Sequence, residues 1–346
     1  MFQVTAVCTT RQETAQETAH RFNIPLAFSN VEELVRHPDV DMVDVCVRLL
    51  AHHEIVMAAL RAGKHVFCEW PLGVTTAEAE DMAKEADARG VLTMIGFQRR
   101  GSPTFNQLRA LIADGYVGRV LSSSLTSFGA GYIWRQPSLT WAADKRKGVS
   151  TVSIAGGHNL DALCYALGDE LREVAGTVST QVKSSLPPGA TEPVEITAPD
   201  NALISGTLAG GGQVSAHIAS VPHLGAGYRL EIYGTEGTLV ASAVGAQEIT
   251  VAGGRGGDKA VQPIAVSSAH TWVPAGVPEG PPFNVGQIFQ QFGEAILAGR
   301  KVEADFTLAV RRHRLLDAIQ AASDTGKRQA VADWPAARAS TRGGPR

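Results

Sequence analysis

The sequence predicts an α/β protein, with a parallel-sheet domain followed by an α+β domain that carries a large, open, mostly antiparallel sheet. Three observations lead there. Short β-branched runs alternate with helical patterns over the first third of the chain. From about Gly118 the pattern changes to longer strand-like runs joined by glycine-rich turns. Between them, Gly63-Lys64-His65-Val66-Phe67-Cys68-Glu69-Trp70-Pro71-Leu72-Gly73 ends an apolar strand in a carboxylate, an indole and a proline.

Each element carries its own signal. Gln3 to Cys8 is a strand pattern and Gln12 to Phe22 a helical one; Val40 to Val47 precedes Glu54 to Ala62; Val66 and Phe67 precede Ala77 to Ala88; Val91 to Ile95 closes the series. Repeated β-α alternation builds a parallel, doubly wound sheet of the Rossmann type. Helix starts are marked by Ser29-Asn30-Val31-Glu32 and Thr75-Thr76-Ala77-Glu78, where a hydroxyl and a glutamate cap free amides reciprocally. Further on, Val120 to Phe128, Ala202 to Leu208, Gln213 to Ser220, Arg229 to Tyr233 and Thr238 to Ala241 read as strands. The glycine clusters at Gly129-Gly131, Gly210-Gly212 and Gly253-Gly257 read as the turns and loops between strands. A strand-like Val152 to Ile154 leads into a helix from His158 to Ala166, and two more helices run from Val285 to Leu297 and from Thr307 to Thr325. The expected division is 1–117 for the cofactor domain and 118–335 for the second, with Ala336 to Arg346 a disordered tail.

At 346 residues and 44% hydrophobic content, the chain has enough apolar material for two domains. A net charge of -3, with both signs interspersed, provides no basic stripe for nucleic acid and no polybasic membrane anchor. No leader pattern and no membrane-length apolar run occurs, so a cytoplasmic protein is expected. Cys8, Cys46, Cys68 and Cys164 lie far apart in apolar runs and read as buried reduced thiols, with no metal-binding spacing.

Several motifs together carry a family resemblance. They are Glu69-Trp70-Pro71; Val47-Arg48-Leu49-Leu50-Ala51-His52; Gly96-Phe97-Gln98-Arg99-Arg100-Gly101-Ser102-Pro103; Gly156-Gly157-His158-Asn159-Leu160-Asp161; Ala198-Pro199-Asp200-Asn201; and Tyr233-Gly234-Thr235-Glu236-Gly237-Thr238-Leu239. With them the sequence resembles the Gfo/Idh/MocA oxidoreductases over essentially its whole length. That family's strand end usually reads Glu-Lys-Pro, with the lysine near nicotinamide and substrate; here Trp70 replaces it, as in the branch containing the yeast galactose-regulon inhibitor, a dinucleotide-binding regulator. The family's Asp-x-Gly-x-His-x-x-Asp element is also altered, its first aspartate replaced by Ile154. No G-x-G-x-x-G turn occurs, and by comparison the chain starts at the family's second β-α unit. The dinucleotide domain is therefore expected to be N-terminally incomplete, most simply through a start codon assigned too far downstream.

The resemblance implies cofactor contacts at Thr9, Thr10, Arg11, Arg48, His52, Glu69, Trp70, Pro71 and Gln98. Hydroxyls with an arginine at the second strand end favour NADP over NAD. A helix cap at Thr10 with a solvated Arg11, and a surface histidine at His52, are the structural alternatives. Substrate contacts fall on Trp70, Arg100, Tyr132, Trp134, Lys145 and His158. Arg100 has a structural alternative as partner of a carboxylate at the domain junction, and Trp134 and Trp141 as covers of a sheet face. His158 is expected to be the catalytic base, because removing a hydride from a carbinol requires an acceptor for the hydroxyl proton; a buried histidine capping or bracing the domain interface is its structural alternative. Asp161, one helical turn on, is its orienting partner.

The leading function is hydride transfer between NAD(P) and a carbinol of a sugar, polyol or related cyclic alcohol. The alternative is a catalytically silent dinucleotide-binding sensor or regulator, which Trp70 favours. The partners expected are a small sugar-like substrate and further copies of the chain, as a dimer or tetramer through the second-domain sheet.

Overall fold

The computed structural model describes residues 2–130, 136–244, 248–278 and 280–332. Tyr132, Trp134 and the tail expected from Ala336 lie outside them. The first domain runs β1 (Ala6–Cys8), α1 (Gln12–Phe22), β2 (Leu26–Phe28), α2 (Val31–Arg36), β3 (Met42–Val45), α3 (His52–Arg61), β4 (His65–Glu69), α4 (Thr76–Arg89) and β5 (Thr93–Gly96). Every strand pair in it is parallel. β1 and β2 form one sheet and β3-β4-β5 a second, with no hydrogen bonds joining the two among the described residues. β4 is central in its sheet, which explains its unbroken apolar run. Val66, Phe67 and Cys68 are fully buried, sandwiched between helices on both faces.

After α5 (Pro103–Ala113) the chain enters β6 (Val120–Ala130), α6 (Gly157–Leu167), β7 (Leu171–Ser179), a small hairpin of β8 (Ser184–Ser185) and β9 (Val194–Glu195), then β10 (Asn201–Leu208), β11 (Gln213–Val221), β12 (Gly227–Gly234), β13 (Gly237–Ala243), β14 (Thr250–Arg255) and β15 (Gln262–Ile264). The helices α7 (Pro281–Leu297) and α8 (Phe306–Thr325) and the short β16 (Gln329–Ala330) complete it. The large sheet has nine strands in the order β15-β14-β13-β12-β6-β11-β10-β7-β16. All its pairings are antiparallel except β6 with β11. A Rossmann-type parallel domain is thus followed by a mixed, mostly antiparallel sheet, as the sequence predicts.

One face of the large sheet forms a core with the helices: Leu125, Ile204, Ile218 and Leu230 pack against Phe105 and Leu108 of α5, Leu160 and Leu163 of α6, and Ile319 of α8. The other face is open. Leu203 and Tyr233 are exposed there, and a hollow of about 470 Å³ lies over Thr126, Thr177, Ser205 and His217, away from His158. The chain crosses back to the first domain at its end. Phe289 of α7 stacks on Phe67 at 4.5 Å, and α8 packs on α4, so the C-terminal helices cover the parallel sheet.

The structure corrects several local expectations. Val152 to Gly156 is a turn of π-helix rather than a strand; Ser150 and Ser153 satisfy each other's backbone amides there, a local alternative to sheet pairing. Asn30, not Ser29, caps α2, while Thr75 caps α4 and Glu78 reaches back to the amide of Val74. Gly253 and Gly254 belong to β14 rather than to a loop. Cys68 and Cys164 are buried, but Cys46 is exposed and Cys8 only half-buried. Among the described residues no helix is long and apolar enough to cross a membrane.

Candidate functional site

The carboxyl end of β4 is held in place by packing from both domains. After Glu69 the chain turns through a cis Trp70-Pro71 peptide. The Trp70 indole is buried between Phe97 and His313, at ring distances of 4.8 and 4.7 Å, and its Nε1 donates to the backbone oxygen of Ser153 at 2.9 Å. Gly157 makes room for it, since any Cβ there would overlap the indole. The position that carries an ammonium in the resembling family is thus filled by an aromatic wedge between the domains.

Glu69 lies half-buried beside Gly96, which leaves space for its carboxylate to accept a hydrogen bond from Gln98 Nε2 at 2.7 Å. Burial, followed by the nearby charge of Asp44, raises the Glu69 pKa to about 7. Asp44 itself is accessible to solvent yet crowded by protein, and is raised to about 6. Exposed Cys46 follows on the same strand edge, its thiol pKa raised by burial, then by Asp44 and Glu69. Ionisation of the acidic groups at this strand exit is thus shifted to higher pH than usual.

His158 reaches the same corner from α6. Its ring stands edge-on to Phe97 at 5.7 Å, and neither nitrogen makes a hydrogen bond among the described residues. Burial, then the positive charge of Arg99, lowers its pKa to about 4, with Asp161 pulling the other way. The imidazole is accordingly neutral and available to accept a proton.

Asp161 is not the hydrogen-bonded partner of that imidazole. Fully buried, it accepts from Arg100 Nε and Nη2, both at 2.8 Å, and from Arg312 Nε at 2.9 Å. These two guanidinium groups hold its pKa below the usual carboxylate value despite burial. Arg312 also binds Glu170, and Arg100 ion-pairs with Glu303 at 3.1 Å. The junction reading of Arg100 describes this geometry, with its guanidinium engaged by Asp161 and Glu303.

His52 is likewise neither surface nor rim. It is 2% exposed, with Nδ1 at 3.0 Å from the Pro71 oxygen and Nε2 at 3.1 Å from that of Val47, so it ties two strand exits together. Arg48 lies over the ring of Trp141, 5.4 Å from its centroid. Trp141 packs in a small cluster with Leu49, Val74 and Ile154, its buried Nε1 without a partner among the described residues. Lys145 is exposed on a short helical turn and makes no ion pair among the described residues. Thr9 hydrogen-bonds the Arg11 oxygen and Thr14, while Thr10 and Arg11 are exposed at the start of α1, where Arg11 rather than Thr10 occupies the cap position without a side-chain bond. The sequence reading did not single out His313 or Arg99, whose importance depends on contacts made across the domain junction.

The sequence pattern of the oxidoreductase family with an NAD-binding Rossmann fold matches residues 1–97, and that of the Gal80p C-terminal domain matches residues 103–243. The first domain carries the Gfo/Idh/MocA family pattern and the second that of the Gal80p C-terminal domain. Among curated relatives in or near this family, a dehydrogenase of Aspergillus oryzae is 34% identical over 170 residues, covering 49% of this chain and 46% of its own. Myo-inositol 2-dehydrogenase of Thermotoga maritima is 27% identical over 253 residues, 71% of this chain and 69% of its own. The chain thus spans about half the length of the first and somewhat over two thirds of the second. A solved oxidoreductase domain protein of Kribbella flavida superimposes with a TM-score of 0.83 at 26% identity, covering 96% of this chain and 91% of that one.

Proposed function

We propose that the protein is an NAD(P)-dependent oxidoreductase acting on a carbinol of a sugar, polyol or related cyclic alcohol. The observation that carries this reading is the position of His158, a neutral imidazole without hydrogen bonds among the described residues, at the carboxyl end of the parallel strands. Ligands of open α/β sheets bind at those ends. Dehydrogenases among the relatives, one of them acting on an inositol, support the substrate class.

The residues at the strand exits suit the nicotinamide end of a dinucleotide. Val47 and Leu50, just after β3, are exposed apolar side chains that a flat ring could cover. Glu69, protonated over much of the neutral range, and the Gln98 amide can donate to and accept from a carboxamide. Thr9, Thr10 and Arg11 suit the ribose end, with NADP preferred. When bound, the nicotinamide would supply or receive the hydride. His158 takes the hydroxyl proton at its ring nitrogen, and Trp70 with Phe97 keeps water from the corner. Lys145, Tyr132 and Trp134 are the remaining substrate contacts proposed.

Trp70 favours a second reading, a dinucleotide-binding sensor without turnover, and the match to the Gal80p C-terminal domain supports it. Anaerobic reduction of NADP and NAD across sugars, polyols and inositols separates the two. Turnover that collapses in His158→Ala supports the dehydrogenase. Cofactor binding with no turnover on any substrate supports the sensor.

A further inference from the structure

We propose that the substrate held beside His158 carries a carboxylate, as a uronate or aldonate does, and that Arg99 and Tyr228 bind it. This deepens the reading above and rests on it for the location of the site.

The buried arginines of the junction are otherwise matched with carboxylates: Arg100 with Asp161, and Arg312 with Asp161 and Glu170. Arg99 is the exception. Its guanidinium lies over the face of Tyr228, 4.3 Å from the ring centroid, with Phe105 at 5.4 Å on another side. It donates from Nη1 to Asn159 Oδ1 at 2.6 Å, and Asn159 is in turn fixed by bonds to the Ala155 oxygen and Ser127. No carboxylate among the described residues pairs with it. One amide, one phenol oxygen and two aromatic faces are meagre compensation for a charge drawn out of water.

A second observation points the same way. Tyr228 is 6% exposed; Arg99 is the donor beside its hydroxyl oxygen, and the phenol O–H itself finds no acceptor among the described residues. A guanidinium fork with unused N–H groups and an orphaned phenol donor form a receptor that lacks only its anion. A carboxylate matches a planar fork with two parallel hydrogen bonds, whereas a neutral hydroxyl leaves the charge uncompensated. Arg48 lies over Trp141, and Lys145 is exposed and able to keep its charge in water whether or not a substrate is bound.

The arrangement also links binding to proton transfer. The Arg99 charge works with burial against protonation of His158, and Asp161 works for it. An anion seated on Arg99 cancels the first of these charge effects. His158 then becomes a better base when such a substrate is present.

Calorimetric titration of the full chain tests the proposal without requiring turnover. The probes are D-glucuronate, D-galacturonate and D-gluconate against D-glucose, D-galactose and sorbitol, with and without NADP. The acid of a matched pair should bind at least about tenfold more tightly, the range expected of a charge-assisted bond in a dry site. Arg99→Gln should erase that preference and Arg99→Lys retain part of it; Tyr228→Phe should weaken acids more than neutral sugars and serves if Arg99→Gln does not fold. Acids bound no better than their neutral counterparts, or a preference that survives Arg99→Gln, overturns the proposal. Glucose 6-phosphate bound in preference to the sugar acids also overturns it, in favour of a phosphate. Acid-selective binding without hydride transfer would leave the carboxylate site standing and sink only the dehydrogenase reading.

Discussion

The indole of Trp70 lies directly on the backbone of Gly157, joining the exit of a parallel strand in the first domain to the opening turn of α6 in the second. A methyl group at Gly157 has no space that the rigid ring can yield. Gly157→Ala should therefore cost about 1–3 kcal/mol, the usual penalty of overpacking. Trp70→Phe in the same chain should recover part of that loss, because the smaller ring clears the new methyl. Denaturant midpoints of the two single variants and the double variant give the coupling. Strict additivity would show that the two residues do not press on each other.

The Arg100-Asp161-Arg312 cluster predicts a larger loss. Asp161→Asn keeps the shape but leaves two buried guanidinium groups facing a neutral amide. Removing one member of such a buried network costs about 3–5 kcal/mol. Urea unfolding of Asp161→Asn should show a loss of that size, and a change under about 1 kcal/mol, the scale of exposed pairs, would rule out the cluster as a junction fastener.

The layout of the parallel domain was legible in the sequence because burial on both faces of β4 forces an uninterrupted apolar run, and helix starts such as Thr75 announce themselves chemically. The two glycines before His158 correctly signalled a close approach, but not that Trp70 makes it. His313 is separated from Trp70 by more than two hundred positions, and the Asp161 partners come from two other elements. Sequence spacing put His158 and Asp161 on one helical face. It carried no information about the two arginines that turn Asp161 away from the imidazole.

The buried histidines work against the fold in acid well before Asp161 titrates. His158 and His313 both have pKa values near 4 in the folded chain, below the unfolded value of about 6.5. In that interval the unfolded state binds more protons, so the stability these groups contribute is present above pH of about 6.5 and is lost as pH falls toward 4. Asp161, whose folded pKa is depressed, adds a further loss at lower pH still. Glu69 and Asp44, raised to about 7 and about 6, act in the opposite direction over the same range, so the decline is read as a difference: His313→Gln should gain stability relative to the parent chain as pH falls from 7 to 4.5. An unchanged slope in that variant would remove His313 from the account.

Glu69 has the opposite sign. Its folded pKa of about 7 lies above the unfolded value of about 4.3, so its contribution is complete below the latter and is lost as pH rises through the former. Glu69→Gln keeps an acceptor for Gln98 and carries no charge to desolvate. Its stability relative to the parent chain should therefore rise between pH 5 and 9. Parallel curves for the two proteins would mean that Glu69 is ionised without penalty.

Cys46 offers a readout of cofactor binding that does not depend on turnover. It is exposed just beyond β3, where the proposed nicotinamide end would lie, and its thiol is held above the ordinary pKa by burial and by Asp44 and Glu69. Since the thiolate is the reactive form, maleimide labelling should be slow at neutral pH and accelerate as pH is raised. The buried Cys68 and Cys164 should stay unlabelled in the native chain, and mass spectrometry of the peptides distinguishes Cys46 from half-buried Cys8. Added NADP or NAD should then slow labelling at Cys46 much more than at Cys8, because a ring covering Val47 and Leu50 also covers its neighbour. Equal rates with and without saturating dinucleotide would move the cofactor away from this strand exit and, with it, the assignment of Glu69 and Gln98 to the nicotinamide.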